Sequence, residues 1–277
     1  MEEGSSNDSS NSIERVKMSP AKSEEDEVEE EEEEEEEEEV DEEEEEVFNP
    51  YLFIGGLPRH SLVYDPEKVA IPPLAETLTN PPITLVLDLD ETLVHCTVDP
   101  IPNPDLVFPV NFNGVTYQVY VRKRPYLDYF LETVSKSFEI IIFTASQKVY
   151  ADVLLDRLDP ERRVLHSRNR LFREACLLVQ GNYIKDLHVI KRDMRKMLLV
   201  DNSPHAYAYQ IDNGIPIESW YDDETDTELL KLIGFLRKLS DNNVQDVRPI
   251  VREHFKTYTL VENAKKGLPF VNQAPPF

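Results

Sequence analysis

The chain has 277 residues, of which 40% are hydrophobic, and it carries a formal net charge of −26 at pH 7. Residues 1–46 hold 25 acidic and 3 basic side chains, whereas the remaining residues hold 30 acidic and 26 basic ones. This charge opposes direct binding to nucleic acids, no apolar run is long enough for a membrane span, and the first residues match neither a signal peptide nor a transit peptide. Two cysteines cannot build a disulfide framework, which indicates a reducing, intracellular compartment.

The composition divides the chain into a tail, an arm and a folded domain. Residues 1–46 are predicted to be a disordered acidic tail, because almost continuous glutamate repels itself and offers nothing to bury. This tail keeps the protein soluble, docks a basic partner, or competes electrostatically for the protein's own site. Residues 47–82 contain seven prolines, which disfavour long helices and central strands, so we expect an extended arm whose aromatic side chains pack on the domain. The folded domain is expected at residues 83–255 and a C-terminal tail at residues 256–277.

Three short apolar runs in the domain are rich in β-branched side chains and show no alternation, which is typical of parallel strands buried on both faces. The runs occupy residues 83–87, 138–143 and 197–200. Helical periodicity is found at residues 125–137, 146–158 and 227–239. Ser146 is the predicted cap of the second helix. Strands that alternate with helices predict an α/β fold with a doubly wound parallel sheet.

A short β-hairpin is predicted to interrupt this alternation. Residues 106–112 and 115–121 have the pattern of strands, and Asn113-Gly114 between them fits a type I′ turn. The hairpin follows the first strand closely, so it can lean over the ends of the sheet.

Polar side chains follow each of the three predicted strands. Asp88 and Asp90 come after the first strand, Thr144 after the second, and Asp201 and Asn202 after the third. Because ligands bind beyond the carboxyl ends of parallel strands, we expect these side chains to converge on one site. Two carboxylates this close cannot both stay ionised, so either one holds a proton or a cation lies between them. The oxygen ligands would suit Mg²⁺ as that cation.

These segments resemble a known group of enzymes. Asp88-Leu-Asp-Glu-Thr92 matches the Asp-x-Asp-x-Thr signature of the haloacid dehalogenase superfamily. Three further segments resemble the small phosphatases that act on the C-terminal domain of RNA polymerase II: residues 143–146, 181–186 and 200–204. The resemblance covers residues 47–255 approximately. It implies a haloacid dehalogenase-like sheet with a short hairpin insertion.

The resemblance also implies a role for each catalytic side chain. Asp88 would be the nucleophile that forms an aspartyl-phosphate. Asp90 would protonate the leaving serine oxygen and then accept a proton from water, which requires a raised pKa. Thr144 would hydrogen-bond the transferring phosphoryl oxygens, and Lys185 would add positive charge there.

The metal ligands follow from the same resemblance. Mg²⁺ would be held by Asp88, by the backbone carbonyl of Asp90 and by Asn202. Asp201 would lie beside it and orient a metal-bound water.

Two features concern the substrate. Arg173 matches a position of substrate contact and closes an arginine cluster between residues 157 and 173, which we interpret as a landing surface for an acidic or phosphorylated peptide. In the family the hairpin forms an apolar pocket for a substrate proline. The matching positions are Val98, Val110, Phe112 and Tyr150.

The resemblance predicts a Mg²⁺-dependent protein serine/threonine phosphatase in the nucleus or nucleo-cytoplasm. Its partner would be a phosphorylated protein with Ser-Pro sites, such as the polymerase C-terminal domain or a transcription regulator. A small-molecule phosphatase is one alternative, although the short insertion leaves the site open for a peptide. A non-catalytic module that binds phosphopeptides or basic proteins is another, although binding alone does not require the Asp88/Asp90 pair.

Overall fold

The computed structural model describes residues 48–74 and 81–268. The predicted acidic tail and the last nine residues of the chain lie outside the described residues. Within the described part, no helix is both long and apolar enough to cross a membrane.

The described residues form ten strands and six helices. The strands are β1 (Ile83–Leu87), β2 (Val94–Thr97), β3 (Leu106–Phe112), β4 (Val115–Lys123), β5 (Phe138–Phe143), β6 (Arg170–Leu171), β7 (Leu177–Val179), β8 (Asn182–Ile184), β9 (Met197–Asp201) and β10 (Gly214–Pro216). The helices are α1 (Pro50–Gly56), α2 (Leu127–Val134), α3 (Lys148–Leu158), α4 (Glu228–Asp241), α5 (Arg248–Phe255) and α6 (Thr257–Lys265).

Strand β1 lies at the centre of a five-stranded parallel sheet with the order β10-β9-β1-β5-β6. Leu85 pairs with Ile140 of β5 and with Leu198 of β9. All five residues of β1 are buried, with Leu85 and Leu87 in one apolar cluster and Val86 in another. Burial on both faces explains why the run shows no alternation, and the predicted α/β parallel sheet is confirmed.

The two faces of this sheet are covered differently. Helices α2, α3 and α4 place Phe130, Leu154 and Leu229 against one face. Short 3-10 turns place Leu187 and Tyr207 against the other face, where a doubly wound sheet usually carries helices. The twelve-residue connection that joins β9 to β10 contains two 3-10 turns, Pro204–Tyr207 and Ile211–Asn213.

The predicted hairpin is formed by β3 and β4, and β2 extends it into a three-stranded antiparallel sheet. Asn113 and Gly114 have φ angles of 50° and 81°, as both central residues of a type I′ turn require. Val110 pairs with Tyr117 across the two strands.

The arm is not extended throughout, because residues 50–56 form helix α1. The side chain of Asn49 accepts hydrogen bonds from the backbone N–H groups of Tyr51 and Leu52, at 3.0 and 3.1 Å, and Pro50 occupies the first turn. Proline opposes a long helix but starts a short one well, which is why the expectation of an extended arm was too broad.

Part of the predicted C-terminal tail is also helical. Helix α6 buries Val261 in an apolar cluster that contains Tyr51 and Ile54 of α1 and Ile184 of β8. The segments before and after the central sheet therefore pack together beside β8.

A buried ion pair fixes the loop that follows β1. Arg124 is 1% exposed, and its guanidinium donates two hydrogen bonds to Asp226, at 2.9 and 2.8 Å. It also donates to the backbone carbonyl of Thr92, at 3.0 Å. The Thr92 hydroxyl in turn donates to Asp88 at 2.7 Å, so the ion pair supports a residue of the predicted site.

We expect Asp226→Asn to lower the free energy of unfolding by about 3–5 kcal/mol, because it leaves the buried Arg124 guanidinium without a counter-charge. Asp128→Asn is the matched control, since Asp128 pairs with Lys123 at the surface and its side chain is 72% exposed. That control should cost no more than about 1 kcal/mol. Urea denaturation measures both, and equally small losses would contradict the structural role of the buried pair.

Candidate active site

Three charged side chains meet at the carboxyl ends of β1 and β9. Lys185 follows β8, and its Nζ lies 2.5 Å from Asp88 Oδ1 and 2.5 Å from Asp201 Oδ2. All three side chains are buried. The sheet brings Asp88 and Asp201 together because Leu87 pairs with Val200, the residue before Asp201. The sequence predicted this convergence of strand ends, and the structure places Lys185 between the two carboxylates.

Burial shapes the ionisation of this group. Burial favours the neutral form of Lys185, but the nearby carboxylates of Asp201 and Asp88 outweigh this effect and raise the pKa of Lys185. The ammonium therefore stays protonated. Burial raises the pKa of Asp201 to about 7, opposed by the charge of Lys185 and aided by that of Asp88. A carboxylate that is this costly to ionise is one that an additional cation would stabilise.

Asp90 lies in a different environment, surrounded by hydroxyl groups. Its Oδ1 accepts a hydrogen bond from Tyr150 Oη at 2.6 Å. Its Oδ2 accepts hydrogen bonds from Ser146 Oγ at 2.8 Å and from Thr144 Oγ1 at 3.2 Å. Burial raises the pKa of Asp90, the hydrogen bond from Tyr150 opposes that rise, and the nearby charge of Asp88 adds to it. The predicted direction of this pKa is confirmed, and the carboxyl can hold a proton.

Two of the residues whose hydroxyl groups surround Asp90, Ser146 and Tyr150, have contacts that the sequence did not predict. Ser146 was predicted to cap α3, but Gln147 precedes that helix and no side chain caps it. The Ser146 hydroxyl binds Asp90 instead, because the loop after β5 turns it toward the carboxyl end of β1. Tyr150 was assigned to the apolar pocket alone, and its hydroxyl contact with Asp90 was missed. Ser146 lies before the helix that carries Tyr150, so no helical spacing rule linked these two hydroxyl groups to Asp90.

The oxygen atoms at this site suit a Mg²⁺ ion. Asn202 donates from Nδ2 to Ser219 Oγ at 2.9 Å, and its Oδ1 lies 3.4 Å from Thr92 Oγ1. This orientation turns an amide oxygen toward the side where Asp88 lies. With the carboxylates of Asp88 and Asp201, it gives the set of hard oxygen donors that Mg²⁺ prefers.

Arg173 lines the same cleft as Asp88, Asp90 and Lys185. Its Nε donates to the backbone carbonyl of Ala145 at 2.6 Å, and its guanidinium lies 4.9 Å from the centre of the Tyr183 ring. These contacts hold the guanidinium at the rim of the cleft.

Two other arginines of the cluster, Arg162 and Arg170, pair with acidic residues of α3, whereas the landing surface as a whole stays a prediction. Arg170 is buried and pairs with Asp152 and Asp156 at 2.7 and 2.9 Å. Arg162 also pairs with Asp156, at 2.8 Å. Acidic residues on α3 neutralise these side chains, which the count of arginines alone could not show.

The four predicted pocket residues do line one groove beside the cleft. Val98, Val110, Phe112 and Tyr150 form it together with Asp90 at its inner end. Val98 and Phe112 are 57% and 39% exposed, so apolar surface is open to solvent there. The hairpin thus brings an apolar groove next to a carboxyl that can hold a proton.

Comparison with known proteins relates the chain to phosphatases. A family described as NLI interacting factor-like phosphatase matches residues 83–248. The chain is 51% identical over 217 residues to CTD small phosphatase-like protein 2 of Dictyostelium discoideum, covering 78% of this chain and 37% of that protein. It is 45% identical over 181 residues to carboxy-terminal domain RNA polymerase II polypeptide A small phosphatase 1 of Homo sapiens, covering 65% of this chain and 67% of that protein.

A solved structure shows the same fold. It is the structure of Fcp1, an essential RNA polymerase II CTD phosphatase, which matches with a TM-score of 0.55 at 17% sequence identity. The match covers 63% of this chain and 70% of that chain. The matched residues span little more than a third of the Dictyostelium relative and about two thirds of the human one.

We expect Tyr150→Phe to raise the pKa of Asp90 further, because the Tyr150 hydroxyl stabilises the ionised carboxylate. The Asp90 carboxyl carbon, followed by NMR during a pH titration without metal, reports this pKa directly. Tyr117→Phe is the matched control, since Tyr117 lines the same groove without a hydrogen bond to Asp90. An unchanged or lowered pKa in Tyr150→Phe would contradict this account.

Proposed function

Because the chain belongs to the NLI interacting factor-like phosphatase family, we propose that it is a Mg²⁺-dependent phosphatase for phosphoserine and phosphothreonine in proteins. The observation that carries this proposal is the contrast between the two acids after β1. Asp88 lies beside the Lys185 ammonium, whereas Asp90 lies among hydroxyl groups that hold it where it can carry a proton. One acid is thus suited to attack and the other to proton transfer.

In the first step, a carboxylate oxygen of Asp88 attacks the phosphorus atom. The new bond between Asp88 and phosphorus forms as the bond from phosphorus to the serine oxygen breaks, and protonated Asp90 gives its proton to that oxygen. Thr92 donates to Asp88 and so fixes the rotation of the nucleophile. The products are an aspartyl-phosphate and the free hydroxyl of the substrate.

In the second step, water attacks the aspartyl-phosphate. Asp90, now ionised, takes the proton from that water, and Asp88 leaves as a carboxylate while inorganic phosphate is released. Tyr150 and Ser146 donate hydrogen bonds to Asp90, which stabilises its charge between the two steps.

Positive charge is needed where the phosphoryl group is transferred. Lys185 supplies one buried ammonium, which would stabilise the phosphoryl oxygens. Asp88, Asn202 and the backbone carbonyl of Asp90 would hold Mg²⁺, with Asp201 beside them. When bound, that ion would neutralise negative charge on the phosphoryl oxygens. Thr144 donates to Asp90 here, and we propose that it also binds a phosphoryl oxygen when substrate is present.

A peptide is the substrate that the open cleft and the adjoining groove favour. The human relative is named for the carboxy-terminal domain of RNA polymerase II, so we propose Ser-Pro phosphopeptides of that kind, or of transcription regulators, as substrates. The apolar groove would take the proline, and Arg173 would contact the peptide at the rim. Such substrates would place the reaction in the nucleus or nucleo-cytoplasm.

We expect Asp88→Asn to lower kcat on a Ser-Pro phosphopeptide on the order of 10³-fold or more, since it removes the nucleophile. Removal of Mg²⁺ with a chelator should abolish turnover of the wild type in the same way, and added Mg²⁺ should restore it. Asp99→Asn, on the exposed start of the hairpin region, is the control that should keep full activity. Turnover that survives Asp88→Asn would refute the proposed chemistry, whereas activity on a small phosphate ester alone would refute the peptide substrate.

We expect Phe112→Ser to raise KM for the Ser-Pro phosphopeptide about tenfold, because it removes apolar surface that would contact the proline. Hydrolysis of p-nitrophenyl phosphate should change far less, since this ester has no proline to contact Phe112. Val107→Ser is the matched control, because Val107 is an exposed residue of the same strand on its other face. Equal KM values for Phe112→Ser and Val107→Ser would rule out the groove as the proline site.

A further inference from the structure

A second cluster of metal-ligating side chains lies next to the segment that carries Lys185. His60 comes from the arm, and Asp186 and His188 follow β8. Their ligand atoms all lie within 4.8 Å of one another. Asp186 directly follows Lys185 in extended backbone, and successive side chains of an extended chain point to opposite sides. The cluster is therefore separate from the phosphatase cleft, and no step proposed above uses it.

The carboxylate of this cluster is fixed by the protein. Asp186 is fully buried, and its Oδ1 accepts hydrogen bonds from Gln210 Nε2 at 2.9 Å and from the backbone N–H of His188 at 3.1 Å. The orientation of Gln210 is set in turn, because its Oε1 accepts from the backbone N–H of Leu187 at 3.2 Å. Such partners hold a metal-binding carboxylate in place before any ion arrives.

Two imidazoles face this carboxylate from an opening at the surface. His60 Nε2 lies 2.8 Å from Asp186 Oδ2, and His188 Nδ1 lies 2.8 Å from Asp186 Oδ1. The two rings are 4.7 Å apart, and Tyr64 packs against both of them. The side chains of His60 and His188 are 26% and 40% exposed, so both rings meet solvent on the side away from the core.

We propose that His60, Asp186 and His188 bind one divalent ion of the zinc class, with water as the fourth ligand. Two imidazole nitrogens and one carboxylate oxygen are donors that zinc accepts in tetrahedral sites, whereas Mg²⁺ prefers oxygen ligands. Without metal, the nitrogen of each imidazole that faces Asp186 donates a proton to it. On binding, the proton leaves that nitrogen by exchange with water, the ring takes a proton on its other nitrogen instead, and the freed lone pair goes to the ion.

The ion would join the arm to the domain. His60 belongs to the 3-10 turn at residues 60–62, whereas the other two ligands belong to the segment that continues from Lys185. Binding would therefore hold the arm on the domain, whether or not the proposed phosphatase activity is correct.

The test uses the full chain, freed of bound metal with a chelator and then desalted. Excess Mg²⁺ is kept present so that sites whose ligands are all oxygen atoms are occupied. Titration with Zn²⁺ by calorimetry should show one tight site per chain. Co²⁺ should give the intense visible absorption of a tetrahedral ion without a thiolate charge-transfer band. The acidic tail can bind Co²⁺ through carboxylates only, which gives the weak absorption of an octahedral ion.

His60→Gln and His188→Gln should each weaken Zn²⁺ binding by more than about tenfold and abolish the tetrahedral absorption. His166→Gln is the matched control, because His166 is a partly exposed histidine outside the cluster, and it should bind Zn²⁺ like the wild type. Affinity that is unchanged in both cluster variants, or Co²⁺ absorption of the octahedral kind only, would overturn the proposal and leave the cluster as a hydrogen-bonded contact.

A measurement on the unaltered protein avoids any folding defect of the variants. Diethyl pyrocarbonate modifies accessible imidazoles, and mass spectrometry locates each modified residue. Zn²⁺ should protect His60 and His188 from modification but leave His166 equally reactive. Equal modification of His60 and His188 with and without Zn²⁺ would overturn the proposal independently.

Discussion

The buried ammonium of Lys185 between two carboxylates is the interaction on which the site depends. Each of these charges is costly to bury alone, so all three must be placed within hydrogen-bonding distance as the chain folds. The sheet meets this requirement through its register. Leu87 pairs with Val200, so the strand ends at Asp88 and Asp201 emerge side by side, and the short β7–β8 hairpin delivers Lys185 between them. Removal of the Lys185 charge would leave both carboxylates buried without a counter-charge.

The same loop presents a second carboxyl in a contrasting environment. Asp88 faces an ammonium. Asp90, two residues later, faces three hydroxyl groups and, among the described residues, no cation within hydrogen-bonding distance. Hydroxyl groups can stabilise either the protonated or the ionised form, because they both donate and accept. This freedom suits a group that must release a proton in one step and take one in the next, and it is the physical basis for assigning different roles to two neighbouring acids.

The sequence predicted the parts of the molecule that depend on local pattern. Strands buried on both faces leave an unmistakable apolar run, and the polar residue after each run marks the carboxyl edge, which is how Asp88 and Asp201 were found. Asn113-Gly114 predicted its turn because few other pairs tolerate two positive φ angles. The hydroxyl contact of Ser146 with Asp90 and the neutralisation of Arg170 by α3 depend on partners far along the chain, and no local pattern encodes them.

Residues 185 and 186 show how one short segment can serve two centres. Extended backbone sends the Lys185 side chain into the cleft and that of Asp186 to the opposite side, where His60 of the arm meets it. A shift of one side chain along this segment cannot leave the other unmoved, since both are buried and both are fixed by ion pairs or hydrogen bonds. The arm therefore contacts the side of the segment that faces away from the cleft. Whatever holds His60 against Asp186, protons alone or an ion, also restrains the backbone that positions the ammonium of Lys185.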